Sequence, residues 1–220
     1  MKKCMLFIVA SAMLLAGCQN ANNANNSGTE GDESQAVATA NLQQFEYYLG
    51  ADGPAAADLN TIPTSMNATL AFTCNSETGA AIAIFKGDTI SLQLTKGASG
   101  NTFTNGDYTL TQWQGTTILQ KGDQNLFLSL PMNVKGKLMV EDVTYFIPQD
   151  QETMYQIQNI MPEPKKAISD ALAGAIDAKG VLSVTLRVVA KTTADGNPPI
   201  GYTGIYDILT VDQLEVLADE

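Results

Sequence analysis

The sequence predicts a mainly β protein with two folded units, a small antiparallel β-barrel followed by a second β-rich unit with one helix. Two observations predict this class. Between about residues 68 and 130, apolar and polar residues alternate in short runs separated by Gly, Asn and Asp, a pattern typical of antiparallel strands with one buried face. Beyond about residue 136, one stretch has apolar residues at helical spacing among further strand-like runs.

Residues 1–17 are predicted to be a lipoprotein signal peptide. Lys2 and Lys3 precede the apolar run Met5–Leu15, which is shorter than the roughly 20 residues that a membrane span needs. The run ends in Leu-Ala-Gly-Cys, the lipobox of bacterial lipoproteins, so we expect Cys18 to be lipidated; the alternative is an ordinary cleaved secretory signal. Gln19, where Asp would favour retention in the inner membrane, favours a lipid anchor in the outer membrane.

The remaining chain divides by composition into a tether and two units. Residues 18–40 are rich in Asn, Ala, Gly and Ser and contain no aromatic residue, so we expect a lipidated Cys followed by a disordered tether. Residues 41–132 are predicted to be the first β-barrel. Pro131–Gly136 is interpreted as a boundary, and residues 133–220 as the second unit.

Six alternating runs are expected to supply the strands of the first unit. Their apolar positions are Leu70, Phe72 and Cys74; Ala80, Ile82 and Ile84; Ile90, Leu92 and Leu94; Tyr108 and Leu110; Ile118 and Leu119; and Leu126, Leu128 and Leu130. Residues Gln43–Leu49 are aromatic-rich and are interpreted as a first strand or a docking segment. Closing such a series into a barrel removes its exposed edges.

The second unit shows a helix between strands. Pro164 is predicted to begin a helix that continues, with apolar residues at i, i+3 and i+4 spacing, to near Gly180. Val181–Ala190 is predicted to be a long strand, Asp195–Pro199 a loop, and Ile208–Leu217 a final strand.

Composition argues against most catalytic classes. The chain contains no histidine and three cysteines, and two of these, Cys4 and Cys18, belong to the signal and the lipidation site. His-dependent nucleophilic catalysis and His-bearing zinc sites are therefore excluded. We expect no enzymatic activity, no metal and no cofactor. Without Lys2 and Lys3, ten basic residues remain against 23 acidic ones, which disfavours nucleic acid and favours a basic partner.

The segment from Lys96 to Gly115 concentrates unusual features. It contains a glycine-rich loop, an aromatic residue at Phe103, the dipeptide Asn105-Gly106 and the only tryptophan of the chain, Trp113. Asn-Gly between alternating residues predicts a hairpin turn in which both residues take positive φ. Phe103 is interpreted as a core residue, and Trp113 as a residue that packs at a barrel mouth.

This segment resembles the membrane-bound and periplasmic inhibitors of c-type lysozyme. The signature of that family combines a Ser-Gly pair, a following aromatic residue, a turn with Trp, Lys and Gly, and a strand ending in Leu. Ser99-Gly100, Phe103, Trp113 and Gly115 match it, within a resemblance that covers about residues 68–130. The family's lysine position falls at Gln114. The family also pairs two cysteines, but Leu128-Ser129-Leu130 stands where the partner of Cys74 would be, so Cys74 is interpreted as a small buried residue.

The resemblance implies that a loop plugs the active-site cleft of lysozyme. Ser99, Gly100 and Gln114 are the contact candidates, supported by Phe103, Trp113 and Gly115. The hydroxyl of Ser99 would hydrogen-bond to the carboxyl groups of lysozyme, while Gln114 offers a neutral amide in place of an ammonium. We expect this change to weaken inhibition unless Lys96 or Lys121 compensates.

Residues 136–220 have a weaker resemblance to the OB-like C-terminal barrel of copper-homeostasis and surface-sensing envelope lipoproteins. Two functions are therefore open. One is a lysozyme-inhibitor-like outer-membrane lipoprotein whose partner is c-type lysozyme or another basic protein. The other is a non-catalytic envelope interaction or stress-sensing lipoprotein that uses the same barrel as a scaffold.

Overall fold

The computed structural model describes residues 44–57, 66–95, 100–174 and 180–217. These residues form thirteen β-strands, a short 3₁₀ helix and one α-helix, so the predicted mainly β class is confirmed. The signal peptide, Cys18 and the tether lie outside the described residues. So does Ser99.

The first eight strands form a closed antiparallel barrel. They are β1 (Glu46–Asp52), β2 (Ala68–Cys74), β3 (Ala80–Phe85), β4 (Asp88–Thr95), β5 (Asn101–Thr104), β6 (Tyr108–Trp113), β7 (Thr116–Lys121) and β8 (Gln124–Ser129). Each strand pairs with the next along the chain. Pairing of β1 with β8, in the register Ala51 to Leu128, closes the ring. The predicted first barrel is confirmed.

Phenylalanine rings fill the interior of this barrel. Phe72 and Phe103 meet edge to face with ring centres 5.0 Å apart, and Phe85 and Phe127 meet at 5.9 Å. Phe103 is 3% exposed, so its predicted core position is confirmed. Cys74 is half-buried and packs against the same core.

The inward face of β3 differs from the predicted one. Ala81, Ala83 and Phe85 are buried, whereas the expected Ile82 and Ile84 are only half-buried. Alanine suits the inward positions because the aromatic rings already occupy the interior, which leaves little volume for branched side chains.

The hairpin at Asn105-Gly106 exists, but its turn is not the predicted one. The loop spans three residues, and only Gly106 has positive φ, at 97°. The side-chain oxygen of Asn105 instead accepts hydrogen bonds from the backbone N–H groups of Asp107, at 3.1 Å, and Tyr108, at 2.9 Å. Such side-chain capping lets Asn stabilise a turn without adopting the left-handed conformation.

The second unit contains five strands and the helix. Its elements are β9 (Met132–Met139), β10 (Tyr145–Pro148), β11 (Tyr155–Ile160), α1 (Pro162–Gly174), β12 (Val181–Lys191) and β13 (Gly204–Val216). The predicted helix is present but begins at Pro162 and not at Pro164. The expected boundary Pro131–Gly136 mostly lies within β9, and β11 has no counterpart in the sequence prediction.

The pairing of these strands involves both directions. β9 pairs antiparallel with β10 and β12, and β10 with β11. β13 pairs parallel with β11 and antiparallel with β12. A second core cluster lies beneath these strands, separate from the phenylalanine core, and includes Leu138, Phe146, Ile168 and Leu186.

Two short connections join the units. Only Leu130 and Pro131 separate β8 from β9. In addition, β1 meets β12 at the residue pair Tyr48 and Lys191, and the Thr192 N–H donates a hydrogen bond to the Tyr47 carbonyl at 3.1 Å. The units therefore contact each other through β1.

Replacing Gly50 with alanine tests the closure of the first barrel. A Cβ at Gly50 would lie 2.4 Å from the Leu128 carbonyl oxygen and 2.7 Å from the Phe127 ring. Because both neighbours belong to the packed barrel wall, we expect Gly50→Ala to lower the free energy of unfolding by about 1–3 kcal/mol in guanidinium titrations. Gly122→Asn is the control, because Gly122 has a φ of 55° that Asn tolerates and open space around it. Unchanged stability of Gly50→Ala would contradict the close approach of β1 to β8.

Candidate functional site

The ends of β5 and β6 bring two parts of the lysozyme-inhibitor-like motif together. Asn101 at the start of β5 pairs with Gln112 near the end of β6. Gly100, one residue earlier, has a φ of 76°, and a Cβ there would lie 2.6 Å from the Gln112 carbonyl oxygen and 3.0 Å from the Cβ of Trp113. The backbone at Gly100 therefore enters β5 beside Trp113.

Gln114 and Gly115 form a two-residue turn between β6 and β7 at the same end. Both residues have positive φ, 48° and 85°, which is the conformation of a type I′ hairpin turn. Glycine adopts this conformation without strain, whereas glutamine does so at a cost. The side chain of Gln114 is exposed, so the turn presents an amide to solvent at the barrel rim.

Trp113 does not pack at the barrel mouth as predicted. Half of the residue, 50%, is exposed. Leu110 and Gln112 share one face of β6 and Trp113 lies on the other; since Leu110 belongs to the core, Trp113 projects outward from the barrel. The indole therefore forms part of the surface beside Gly100 and Gln114.

Among the residues that the structure describes, this end of the barrel carries exposed acidic side chains. Glu46 at the start of β1 and Glu77 in the β2–β3 turn are both exposed. Lys121, one of the two lysines that could compensate for Gln114, does not do so, because it ends β7 at the opposite end of the barrel. Its ammonium lies there, 5.1 Å from the centre of the Tyr108 ring. Lys96 lies outside the described residues.

The second unit contacts the turn directly. A Cβ at Gly115 would lie 2.3 Å from a methyl group of Leu209 on β13 and 3.0 Å from one of Val189 on β12. Glycine is thus required at this position both for its conformation and for the approach of the second unit. The exposed part of the motif surface consists of Gly100, Trp113 and Gln114.

A buried lysine from the second unit lies beside this surface. Lys191, at the end of β12, is 5% exposed. Its Nζ atom is 2.8 Å from a carboxylate oxygen of Glu46 and 3.5 Å from one of Asp207. The same atom lies 3.6 Å from the centre of the Tyr48 ring, close enough for a cation–π interaction. We call Lys191, Glu46, Tyr48 and Asp207 the Lys191 cluster.

Hydrogen bonds from three strands hold the Lys191 cluster in place. The Tyr48 hydroxyl donates to Glu46 at 2.5 Å and accepts from the side-chain amide of Gln112 at 3.0 Å. Asn159 donates to one oxygen of Asp207 from both its backbone N–H and its side-chain amide, each at 3.1 Å. The cluster therefore connects β1 and β6 of the first barrel to β11, β12 and β13.

The two carboxyl groups respond differently to this environment. Partial loss of hydration acts to raise the pKa of the exposed Glu46, because neighbouring groups surround its carboxylate. The Lys191 ammonium and hydrogen bonds from Lys191 and Tyr48 outweigh this effect and hold the pKa below its ordinary value. Burial raises the pKa of Asp207, although Lys191 and Asn159 act against the rise. Burial, together with the charge of Glu46 and the hydrogen bond to it, also raises the pKa of Tyr48.

The structure has a cleft at one end of the first barrel and a cavity between the units. No predicted site residue in the part of the chain that the structure describes lines either of them. A cleft of about 680 Å³ lies at the opposite end of the first barrel, beside Lys121 and Asn125. A cavity of about 320 Å³ lies between the units and is lined by Leu49, Met66, Lys191 and Tyr206, among others. Within the described ranges, no group of three acidic or cysteine side chains is arranged to hold a metal ion. The α-helix described here is too short and too polar to cross a membrane.

Comparison with protein families, curated proteins and solved structures finds no match to this chain. The resemblance to lysozyme inhibitors therefore rests on the sequence motif alone.

Sequence reasoning missed the Lys191 cluster. Lys191 and Glu46 are 145 residues apart, and neither belongs to a recognisable motif. The one available signal was a lysine directly after the predicted strand Val181–Ala190, at a strand end where a charge is ordinarily solvated.

Replacing Lys191 alone, and then together with Asp207, tests the Lys191 cluster. Lys191→Met removes the buried ammonium and leaves Asp207 without its cation, so we expect the free energy of unfolding to fall by about 3 kcal/mol. Lys191→Met combined with Asp207→Asn should recover part of this loss, because the uncompensated charge is also removed. Lys166→Met is the matched control, since Lys166 pairs with Asp170 on the exposed face of α1 and such pairs contribute about 0.5 kcal/mol or less. Equal effects of Lys191→Met and Lys166→Met would contradict the described burial.

Proposed function

We propose that this chain binds a basic protein at the barrel end formed by Gly100, Trp113 and Gln114, and that c-type lysozyme is the leading candidate. One observation carries the proposal: residues that resemble the inhibitor signature meet at one barrel end, with Trp113 and Gln114 exposed there. The exposed carboxylate of Glu77 at the same end adds attraction for a basic partner.

The proposed mechanism is occlusion of the lysozyme cleft. Lysozyme uses one protonated and one ionised carboxyl group in that cleft. The Ser99 hydroxyl and the Gln114 amide would donate hydrogen bonds to them, while the rim around Trp113 excludes the glycan. A neutral amide donor forms a weaker hydrogen bond to a carboxylate than an ammonium does. The proposed inhibition is therefore weaker than it would be with a lysine at position 114.

We further propose that residues 133–220 form an OB-like barrel that serves as an accessory domain. The pairings described above support this proposal. Taken in order, β9, β10, β11, β13 and β12 each pair with the next, and β12 pairs again with β9. The parallel pair β11–β13 and the helix between β11 and β12 agree with the topology of that fold.

The alternative function is an envelope interaction or stress-sensing lipoprotein. A specific observation favours it: Leu209 and Val189 pack against Gly115, directly beside Gln114. A partner at this barrel end therefore also meets the second unit, and a lysozyme cleft must accommodate that bulk. Gln114 in place of lysine points in the same direction.

The proposed anchor is a lipid on Cys18, which would hold the protein in the outer membrane, facing the periplasm or the cell surface. Cys18→Ser should prevent acylation and move the protein from the membrane fraction to the soluble fraction. Mass spectrometry of the N-terminal peptide and cell fractionation measure both effects, with Cys74→Ser as the matched control. Detection of an unmodified residue 18 in membrane-bound native protein would refute the anchor.

Exchanging Gln114 for lysine tests the inhibitor proposal. We expect Gln114→Lys to tighten inhibition of c-type lysozyme by about 1 kcal/mol, or about fivefold, because an ammonium replaces a neutral donor beside an ionised carboxylate. Ser99→Ala should weaken inhibition and leave the melting temperature unchanged. Residual lysozyme activity is measured against the concentration of the full chain.

The control for this charge change is Gln124→Lys. Gln124 is exposed at the start of β8, at the opposite end of the barrel, so the substitution alters net charge equally without reaching the proposed surface. If neither wild type nor Gln114→Lys inhibits lysozyme, the inhibitor proposal fails and the alternative of an envelope interaction or stress-sensing lipoprotein stands. If Gln124→Lys tightened lysozyme inhibition as much as Gln114→Lys does, the change in net charge alone would explain the effect.

A further inference from the structure

We infer that the mouth of the first barrel is a binding site for an organic cation and that Lys191 occupies it as an internal ligand. The site consists of the Glu46 carboxylate, the face of the Tyr48 ring and the Gln112 amide that fixes the Tyr48 hydroxyl. We call these three residues the cation cradle. All three belong to the first barrel, whereas the ammonium they surround comes from the second unit.

The chemistry of the cation cradle is specific for an ammonium or guanidinium group. An aromatic face contacts the cation on one side and a carboxylate oxygen on another, the combination that recognises lysine and arginine side chains. The hydrogen bond from Tyr48 to Glu46 orients the carboxylate that contacts the cation. With Asp207, two carboxylates surround one ammonium, so the site has excess negative charge when both are ionised.

The position of Lys191 makes the second unit a cover for this mouth. Val189 and Lys191 lie on the same face of β12, since side chains two residues apart share a face. One contacts Gly115 at the rim and the other enters the cation cradle. The backbone connection here is short: one residue pair joins β1 to β12, followed by the bond from Thr192 to Tyr47. The side chain of Lys191 therefore helps to hold the cover in place, beside the apolar contacts of Leu49 and Met66 with the second core.

A basic partner can compete for the same site. The side chain of Glu46 is 58% exposed while that of Lys191 is 5% exposed, so the cradle is open to solvent on its Glu46 side. A lysine or arginine side chain that approaches from the Trp113 rim would meet Glu46 first. This second step rests on the proposed function: the basic partner displaces Lys191 and moves the second unit away from the mouth.

Chemical rescue tests the cradle without any partner. Lys191→Ala in the full chain removes Cγ, Cδ, Cε and Nζ, a fragment that n-propylammonium replaces. We expect the melting temperature of Lys191→Ala to rise with n-propylammonium chloride, because a ligand that binds only the folded state stabilises it. Neutral 1-propanol and sodium chloride at equal concentration should not reproduce the rise, and adding Glu46→Gln should reduce it. An equal response to propanol and propylammonium would overturn the cation site. If Lys191→Ala folds only when propylammonium is present, the site is likewise supported.

Lys191→Gln keeps the test decisive if the alanine variant does not fold. Glutamine retains part of the stem over Tyr48 but carries no charge. The Thr192 N–H, which bonds across the units, should exchange with deuterium on the order of tenfold faster in this variant. The Leu94 N–H, which bonds to Gly79 within the first barrel, should be unchanged. No selective change at Thr192 would overturn the role of Lys191 as a cover.

Binding of c-type lysozyme to the same variants tests the competition. Lys191→Gln should bind lysozyme about tenfold more tightly than wild type, and Lys191→Gln with Glu46→Gln should lose this gain. If the rescue succeeds but lysozyme binds none of the variants, the cation site stands and the proposed function fails. If lysozyme binds wild type and Lys191→Gln equally, the partner uses the rim alone and the competition is refuted.

Discussion

The pairing of β1 with both β2 and β8 is the constraint on which the remaining structure depends. It closes the first barrel, and it leaves the Tyr48 region of β1 to meet β12. Side chains on the two faces of β1 then have different surroundings: Tyr48 packs against the phenylalanine core, and Leu49 packs against the core of the second unit. Each unit thus completes part of its core with the same short strand.

The Lys191 cluster shows why this junction tolerates a buried charge. Removing an ammonium from water costs several kcal/mol, and attraction to nearby carboxylates offsets this only with good geometry and satisfied hydrogen bonds. Both conditions hold here, because every buried side-chain nitrogen and oxygen within the described residues has a hydrogen-bond partner. Such a cluster adds less to stability than packed apolar side chains would, and its ion pairs and hydrogen bonds join side chains of both units.

The features that the sequence predicted correctly are local. The alternating runs in β2, β4 and β6 and the periodic helix around Ile168 depend on neighbours within a few residues. The prediction of the inward face of β3 was wrong, because rings that are distant in sequence, such as Phe103, fill the interior. Only small side chains such as Ala81 and Ala83 fit beside these rings. The predicted turn type at Asn105 was wrong, because hydrogen bonds to the Asn105 side chain stabilise the turn and Asn105 does not take positive φ. For the candidate site, Gly100 and the Gln114 turn lie at one barrel end, opposite Asn105-Gly106, while Ser99 lies outside the described residues. The Lys191 cluster depends on contacts between the units, which no local pattern encodes. The exposure of Trp113 follows from its position on the outward face of β6.

The closing pair of the first barrel has a consequence for how the chain folds. Ala51 and Leu128 are 77 residues apart in the sequence, so β1 must wait for seven further strands before its second edge is covered. Folds dominated by such distant pairings form slowly, typically in milliseconds to seconds. Until β8 arrives, β1 presents an unpaired edge on which foreign strands can assemble. The residues of β12 that contact β1 come still later in the chain. We therefore expect formation of the first barrel to limit the rate at which the second unit docks onto it.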